Sequence, residues 1–130
     1  MKISPDILVR EAMEAREKAY VPYSKFRVGA AVLTESGKIY RGCNIENASY
    51  SLTICAERVA IFKAISEGEK IKALAVTSSG GQGITLPCGA CRQVIQELCP
   101  EAELFLADSA GNFETYRIGD LLPMPFMLSH

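Results

Sequence analysis

Apolar residues recur at Leu8, Ala12, Ala15 and Ala19, the three-to-four spacing of one helical face. Ser4-Pro5-Asp6 ahead of them reads as an N-cap followed by proline at the first helical position. A first helix is therefore predicted to run to about Ala19, with Pro22 as its stop. From Phe26 to Thr34 the pattern turns extended, Ser36-Gly37 supplies a hairpin turn, and Lys38 to Asn44 makes the returning strand. A second helix is expected to begin near Thr53 or Cys55 and to end at Gly68, a residue suited to a C-cap. Ile71 to Ser78 reads as a buried strand centred on Leu74-Ala75-Val76, and Gly80-Gly81-Gln82-Gly83 as a loop. A third helix starts around Pro87 or Cys88 and ends before Pro100. Glu103 to Ala107 is a strand, Asp108 to Asn112 a turn, and Phe113 to Arg117 the last strand. The segment from Leu121 to Phe126 is apolar and broken by Pro123 and Pro125.

The predicted order is α-β-β-α-β-α-β-β. Helices alternating with short apolar strands imply an α/β fold: a three-layer α/β/α sandwich around a mixed five-stranded sheet. The first two strands pair as an antiparallel hairpin, and the third and fourth, joined by a crossover helix, run parallel. The chain shows no internal repeat, low-complexity tract or long linker, and residues 1–130 are expected to form one domain.

Composition narrows the setting. With 48% hydrophobic residues the chain can build a core without disulfide staples. No apolar run approaches the roughly 20 residues needed to span a membrane. Met1-Lys2-Ile3-Ser4-Pro5 lacks the apolar stretch of a secretory signal, so the cytosol is the expected compartment. Five cysteines there read as metal ligands plus buried thiols. Fourteen basic residues balance fifteen acidic ones without clustering. A nucleic acid polymer would require a basic groove, so a small-molecule substrate is expected, with neither polymer nor membrane as partner.

The chemistry concentrates in Cys55-Ala56-Glu57 and Pro87-Cys88-Gly89-Ala90-Cys91. Cys88 and Cys91, three apart at a helix start, present both sulfurs on one side. Helix N-termini stabilise thiolates, and Cys55 gains the same help at the start of the second helix. Three thiolates can hold Zn2+ with a fourth position open for water, and the Glu57 carboxylate can move protons beside it. Residues two apart do not share a helical face, so Cys55 must lie at the cap or first turn if it is to meet Glu57. Arg58 is positioned to offset part of the thiolate charge. A structural site would want a fourth protein ligand. Cys99 lies about 12 Å further along the third helix, and His130 is the last residue. Cys43 is not excluded by spacing, although a buried strand thiol is its simpler reading.

C-A-E followed by P-C-G-A-C-R-Q resembles the zinc nucleoside deaminases. Val21-Pro22-Tyr23-Ser24-Lys25-Phe26, Cys43-Asn44-Ile45-Glu46-Asn47-Ala48, Cys55-Ala56-Glu57-Arg58 and Leu121-Leu122-Pro123 extend the similarity to the small, homotetrameric, three-cysteine cytidine deaminases over nearly the whole chain. The resemblance implies one zinc per subunit on Cys55, Cys88 and Cys91, with Glu57 as the proton shuttle. It implies attack of hydroxide on C4 of cytosine, giving uridine or deoxyuridine and ammonia. It also implies that Asn44 and Glu46 hold the sugar hydroxyls of a pyrimidine nucleoside. Two apart on an extended segment, they project to one side. Phe26 would pack on the pyrimidine, and the Ala56 backbone N–H would read the base carbonyl. Ala48, Tyr50 and Phe126 would reach a neighbouring subunit's site in a homotetramer of pyrimidine salvage.

The chain departs from the family pattern in its short C-terminus, in Met124-Pro125, and in the glycine-rich Gly80 to Leu86 loop. Two alternatives stand beside the main expectation. One is a deaminase of another cytosine-bearing nucleoside, such as a nucleoside antibiotic, and the other is a non-catalytic zinc-binding module.

Overall fold

The computed structural model describes residues 4–128. The elements are α1 (Pro5–Arg16), β1 (Val28–Thr34), β2 (Ile39–Cys43), a 3-10 turn (Tyr50–Leu52), α2 (Ala56–Ser66), β3 (Ile71–Ser78), α3 (Gly89–Leu98), β4 (Glu103–Ala107), β5 (Phe113–Tyr116) and α4 (Ile118–Leu121). The strands form one sheet in the order β2-β1-β3-β4-β5. β1 is antiparallel to β2 and β3, β3 and β4 are parallel, and β5 returns antiparallel to β4. The expected mixed five-stranded sheet is present.

Period-two alternation splits the central strands between two cores. Ala30 and Val32 of β1, Leu74 and Val76 of β3, and Leu104 and Leu106 of β4 face Ala60, Ile61 and Ala64 of α2 and Ile95 of α3. Ala31 and Leu33, Ala73 and Ala75, and Phe105 and Ala107 face Leu8, Val9 and Ala12 of α1 on the other side. The sheet is thus covered on both faces. Each fully buried Leu, Ile or Val contributes about 1.5–3 kcal/mol relative to exposure.

Two glycines set how close the helices come. A Cβ at Gly29 would lie 2.1 Å from the Ala12 carbonyl oxygen of α1. One at Gly42 would lie 2.5 Å from the Ala56 oxygen and 2.5 Å from the Ala60 nitrogen. Backbone atoms cannot yield at that range, so only glycine lets the first turns of α2 rest on β2.

Several boundaries differ from the sequence expectation. The α-helical part of α1 ends at Arg16, not Ala19. The next residues tighten into turns, with Lys18 N–H donating to Ala15 at 3.1 Å and Ala19 N–H to Arg16 at 3.1 Å. The Arg27 guanidinium then donates to the freed carbonyls of Glu17 (3.2 Å) and Ala19 (2.9 Å). β1 begins at Val28 rather than Phe26 because the Asn44 side chain replaces the strand partner there. Asn44 Nδ2 donates to the Phe26 carbonyl at 2.9 Å, and Val28 N–H donates to Asn44 Oδ1 at 2.9 Å. The 3-10 turn and α4 are additions, both too short to show a periodic pattern. Arg117 N–H donates to the Asp120 carboxylate at 2.9 Å and so caps α4.

Candidate active site

The N-terminal ends of α2 and α3 carry the chemistry. Cys55 is the N-cap of α2 and Cys88 the N-cap of α3, both in extended backbone. Cys91 follows in the first turn of α3, and its N–H donates to the Cys88 sulfur at 3.4 Å. The sulfurs of Cys55, Cys88 and Cys91 lie within 4.8 Å of one another, and those of Cys55 and Cys88 are 3.7 Å apart. A tetrahedral zinc with Zn–S bonds of about 2.3 Å requires sulfur pairs about 3.8 Å apart, so the donor set fits that ion. Cys91 is buried, Cys55 half-buried and Cys88 exposed.

The remaining thiols stand apart. Cys43 closes β2 outside the cluster. Cys99 is at the far end of α3, where burial pushes its thiol up to about 12. His130 lies outside the described residues.

The electrostatics favour a thiolate on Cys55. The hydrogen bond from Cys91, with help from Arg58, brings Cys55 down to about 5. Cys91 moves the opposite way, because it shares its proton with Cys55 and is buried. Arg58 Nη2 donates to the Cys55 sulfur at 3.4 Å. Its Nε is buried and has no hydrogen-bond partner.

Glu57, at the second position of α2, is only 4% exposed. Burial is the main cause that pushes its carboxyl up to about 7, and the Cys55 charge adds to the shift. The requirement that Cys55 lie at the cap or first turn of α2 is met, since it is the N-cap. Ala56 fills the first helical position, where a backbone N–H has no intrahelical acceptor.

A second cluster lies on irregular backbone. Ile45 bridges Tyr20 on one side and Ile54 on the other, which keeps residues 44–46 extended. Asn44 and Glu46 consequently both reach the segment from Tyr23 to Val28. Glu46 Oε1 accepts from the N–H groups of Tyr23 and Ser24, each at 3.1 Å, and Oε2 accepts from the Ser24 hydroxyl. Phe26 is 41% exposed, and its ring rests beside Gly80 and Gly81. It is therefore a surface aromatic and not core packing.

The three residues expected to touch a neighbouring subunit are exposed, with Tyr50 at 77% and Phe126 at 70%. Tyr50 also packs edge-on against Tyr23 of its own chain, with centroids 6.5 Å apart. Tyr23, Ser24, Glu46, Tyr50 and Thr53 line a cavity of about 370 Å³.

Sequence reasoning assigned no role to Ser24, Arg92 or Gln93. Arg92 joins the α3 entry to α4, donating to Pro87 (2.9 Å) and Leu121 (2.9 Å). Gln93 holds Phe126 through its backbone, donating to the carbonyl at 2.9 Å and accepting from the N–H at 3.2 Å. Their only sequence signal was their place inside the P-Y-S and C-R-Q strings.

Architecture and sulfur chemistry together define the class as an α/β/α protein with three cysteine sulfurs spaced to hold a metal ion. The family model for the cytidine and deoxycytidylate deaminase zinc-binding region matches residues 4–107. A cytidine deaminase of Halalkalibacterium halodurans is 51% identical over 92% of this chain and 92% of its own length. One from Sporosarcina psychrophila is 54% identical over 92% of this chain and 88% of its own. The crystal structure of cytidine deaminase from Burkholderia pseudomallei superposes with a TM-score of 0.91 at 47% identity, over 95% of this chain and 100% of that one. The chain belongs to the cytidine and deoxycytidylate deaminase family.

Proposed function

We propose that the protein is a zinc-dependent hydrolase that converts cytidine and deoxycytidine, with water, to uridine and deoxyuridine and ammonia. The observation that carries this reading is the meeting of three cysteine sulfurs at two helix N-termini beside the buried Glu57, in a chain about half identical to named cytidine deaminases. Cys55, Cys88 and Cys91 would hold the zinc, which when bound supplies the Lewis acidity that makes water nucleophilic near neutral pH.

The chain's own groups supply the rest. A carboxyl pushed up to about 7 can both take and give a proton at neutral pH, which suits Glu57 to accept a proton from water. It can pass that proton to N3 of the base and then carry the second water proton, from the hydroxyl added at C4, to the departing amine. Arg58 offsets thiolate charge through its bond to Cys55. The Ala56 N–H reads the base carbonyl, and Phe26 packs on the ring.

Hydrogen-bond capacity supports the sugar-binding roles. With three bonds already accepted, the Glu46 carboxylate keeps room on Oε2 for a hydroxyl donor. Asn44 keeps one amide hydrogen after donating to Phe26. The same reading includes a role in cytoplasmic pyrimidine salvage and a homotetramer in which Ala48, Tyr50 and Phe126 face a neighbour's site. Free cysteines and exposed aromatics support it.

Zinc-loaded protein mixed with cytidine is expected to consume the cytidine absorbance band and release one ammonia per uridine formed. No turnover of cytidine or deoxycytidine would overturn the reading. Turnover of a cytosine-bearing antibiotic nucleoside alone would favour the narrower alternative.

A further inference from the structure

Ser24 occupies an unusual node. Its hydroxyl donates to Glu46 Oε2, and the same oxygen accepts the Phe26 N–H at 3.0 Å. One atom thus joins the residue proposed to read the sugar to the residue proposed to pack on the base. Between Ser24 and Phe26, Lys25 is held at φ 61°, a left-handed conformation that a lysine adopts only when its surroundings impose it. The backbone N–H groups of Tyr23 and Ser24 converge on Oε1 alone, so Ser24 is what fixes the second carboxylate oxygen. These hydrogen bonds, the Ser24 hydroxyl foremost, hold the Glu46 carboxyl below its ordinary value.

We propose that Ser24 is a positioning residue for sugar recognition: its hydroxyl orients Glu46 Oε2 toward the nucleoside hydroxyl and couples that contact to the placement of Phe26. The proposal rests on the reading of Glu46 as the sugar-hydroxyl acceptor. Without the Ser24 hydroxyl, Oε2 loses its orienting donor and Phe26 N–H its acceptor, while the cysteine cluster on α2 and α3 is untouched.

The test compares zinc-loaded wild type, Ser24→Ala, Ser24→Thr and Glu46→Gln on two substrates, cytidine and 2′,3′-dideoxycytidine. Ser24→Ala is expected to raise KM for cytidine about 10-fold, with kcat changed much less. The loss should shrink to about 2-fold on the dideoxy substrate, which offers Glu46 nothing to bind. Ser24→Thr, which keeps the hydroxyl, should restore most of the cytidine KM. An equal loss on both substrates, or no loss on cytidine, would overturn the proposal while Glu46→Gln still discriminates between them. Should Glu46→Gln itself treat the two substrates alike, the sugar-acceptor reading fails first and the proposal falls with it. If Ser24→Ala does not fold, Ser24→Cys, a near-isosteric weak donor, carries the same comparison.

Discussion

The two ends of the site are built in contrasting ways. At the cysteine end, three sulfurs and a carboxyl sit on the first turns of α2 and α3, whose other faces are sunk in the larger core. At the polar end, Phe26, Asn44 and Glu46 sit on irregular backbone, ordered by side-chain hydrogen bonds that stay near solvent. Under the proposed function, the groups that hold an ion and a proton at fixed separations start helices anchored in the larger core. Under the same reading, the groups that admit and release a substrate lie where only a few polar bonds hold the chain, each worth about 0.5–1.5 kcal/mol net. Damage at the first end should therefore appear as lost metal or lost chemistry, and damage at the second as weakened binding.

Glu57→Gln should give the largest effect. The amide keeps the shape and cannot carry the proton, so kcat should fall by about 10²–10⁴ with zinc content unchanged. Zinc loss in that variant would mean that the carboxyl supports the cluster and does not serve the reaction. The same substitution has a signature in the metal-free, reduced protein. Glu57 is raised from 4.5 to about 7, so between those values the native state binds more protons than the unfolded one. Its contribution to stability is thus lost as pH rises through that window, by about 3 kcal/mol in all. Cys55, lowered from 9.0 to about 5, works in the opposite sense between those values but is present in both proteins. Denaturant midpoints measured across the window should show the wild type losing ground to the Gln variant as pH increases, and parallel curves would contradict the assignment.

Gly42→Ala should come next. The added methyl would meet α2 backbone at 2.5 Å, which costs about 1–3 kcal/mol and forces α2 away from β2. Cys55 and Glu57 ride on that helix, so both the urea midpoint and the zinc stoichiometry should drop. An unchanged zinc stoichiometry would show that the cluster tolerates a shift of α2, against the contrast drawn here.

The smallest effect is expected for Asn44→Ala. It removes the bonds to Phe26 and Val28, for about 1–2 kcal/mol of local order. KM for cytidine should increase several-fold, with zinc content at the wild-type level. If zinc were lost here as well, the two ends would not be independent.

Much of the architecture was readable before any coordinates. β3 and β4 have the predicted bounds, Ile71–Ser78 and Glu103–Ala107, because each is centred on an apolar run, Ala73-Leu74-Ala75-Val76 and Leu104-Phe105-Leu106-Ala107, flanked by polar residues. Boundaries slipped where side chains take over backbone hydrogen bonds, as Arg27 does at the end of α1 and Asn44 at the start of β1. No hydrophobic pattern encodes such bonds. α4 and the 3-10 turn escaped for a related reason, since elements of three or four residues complete no period. At the site, the spacing of the cysteines revealed a cluster, and the rule that residues two apart do not share a helical face required Cys55 to lie at the cap or first turn. Ser24 was invisible, because a serine in a turn-rich string has many ordinary uses.

The sequence by itself determined the chemistry available: three thiols and a carboxyl in two short helix starts, and a pattern that alternates for a sheet covered on both sides. Those are local properties, set by spacing, caps and periodicity. Only the tertiary structure decided how those groups behave. It brought Cys55 within 3.7 Å of Cys88 across thirty-three residues of chain. It buried Glu57 until its carboxyl titrates at about 7, and it strung Phe26 and Glu46 on one serine hydroxyl. Distances between remote segments and the loss of water around a charge follow from packing, which no single stretch of sequence contains.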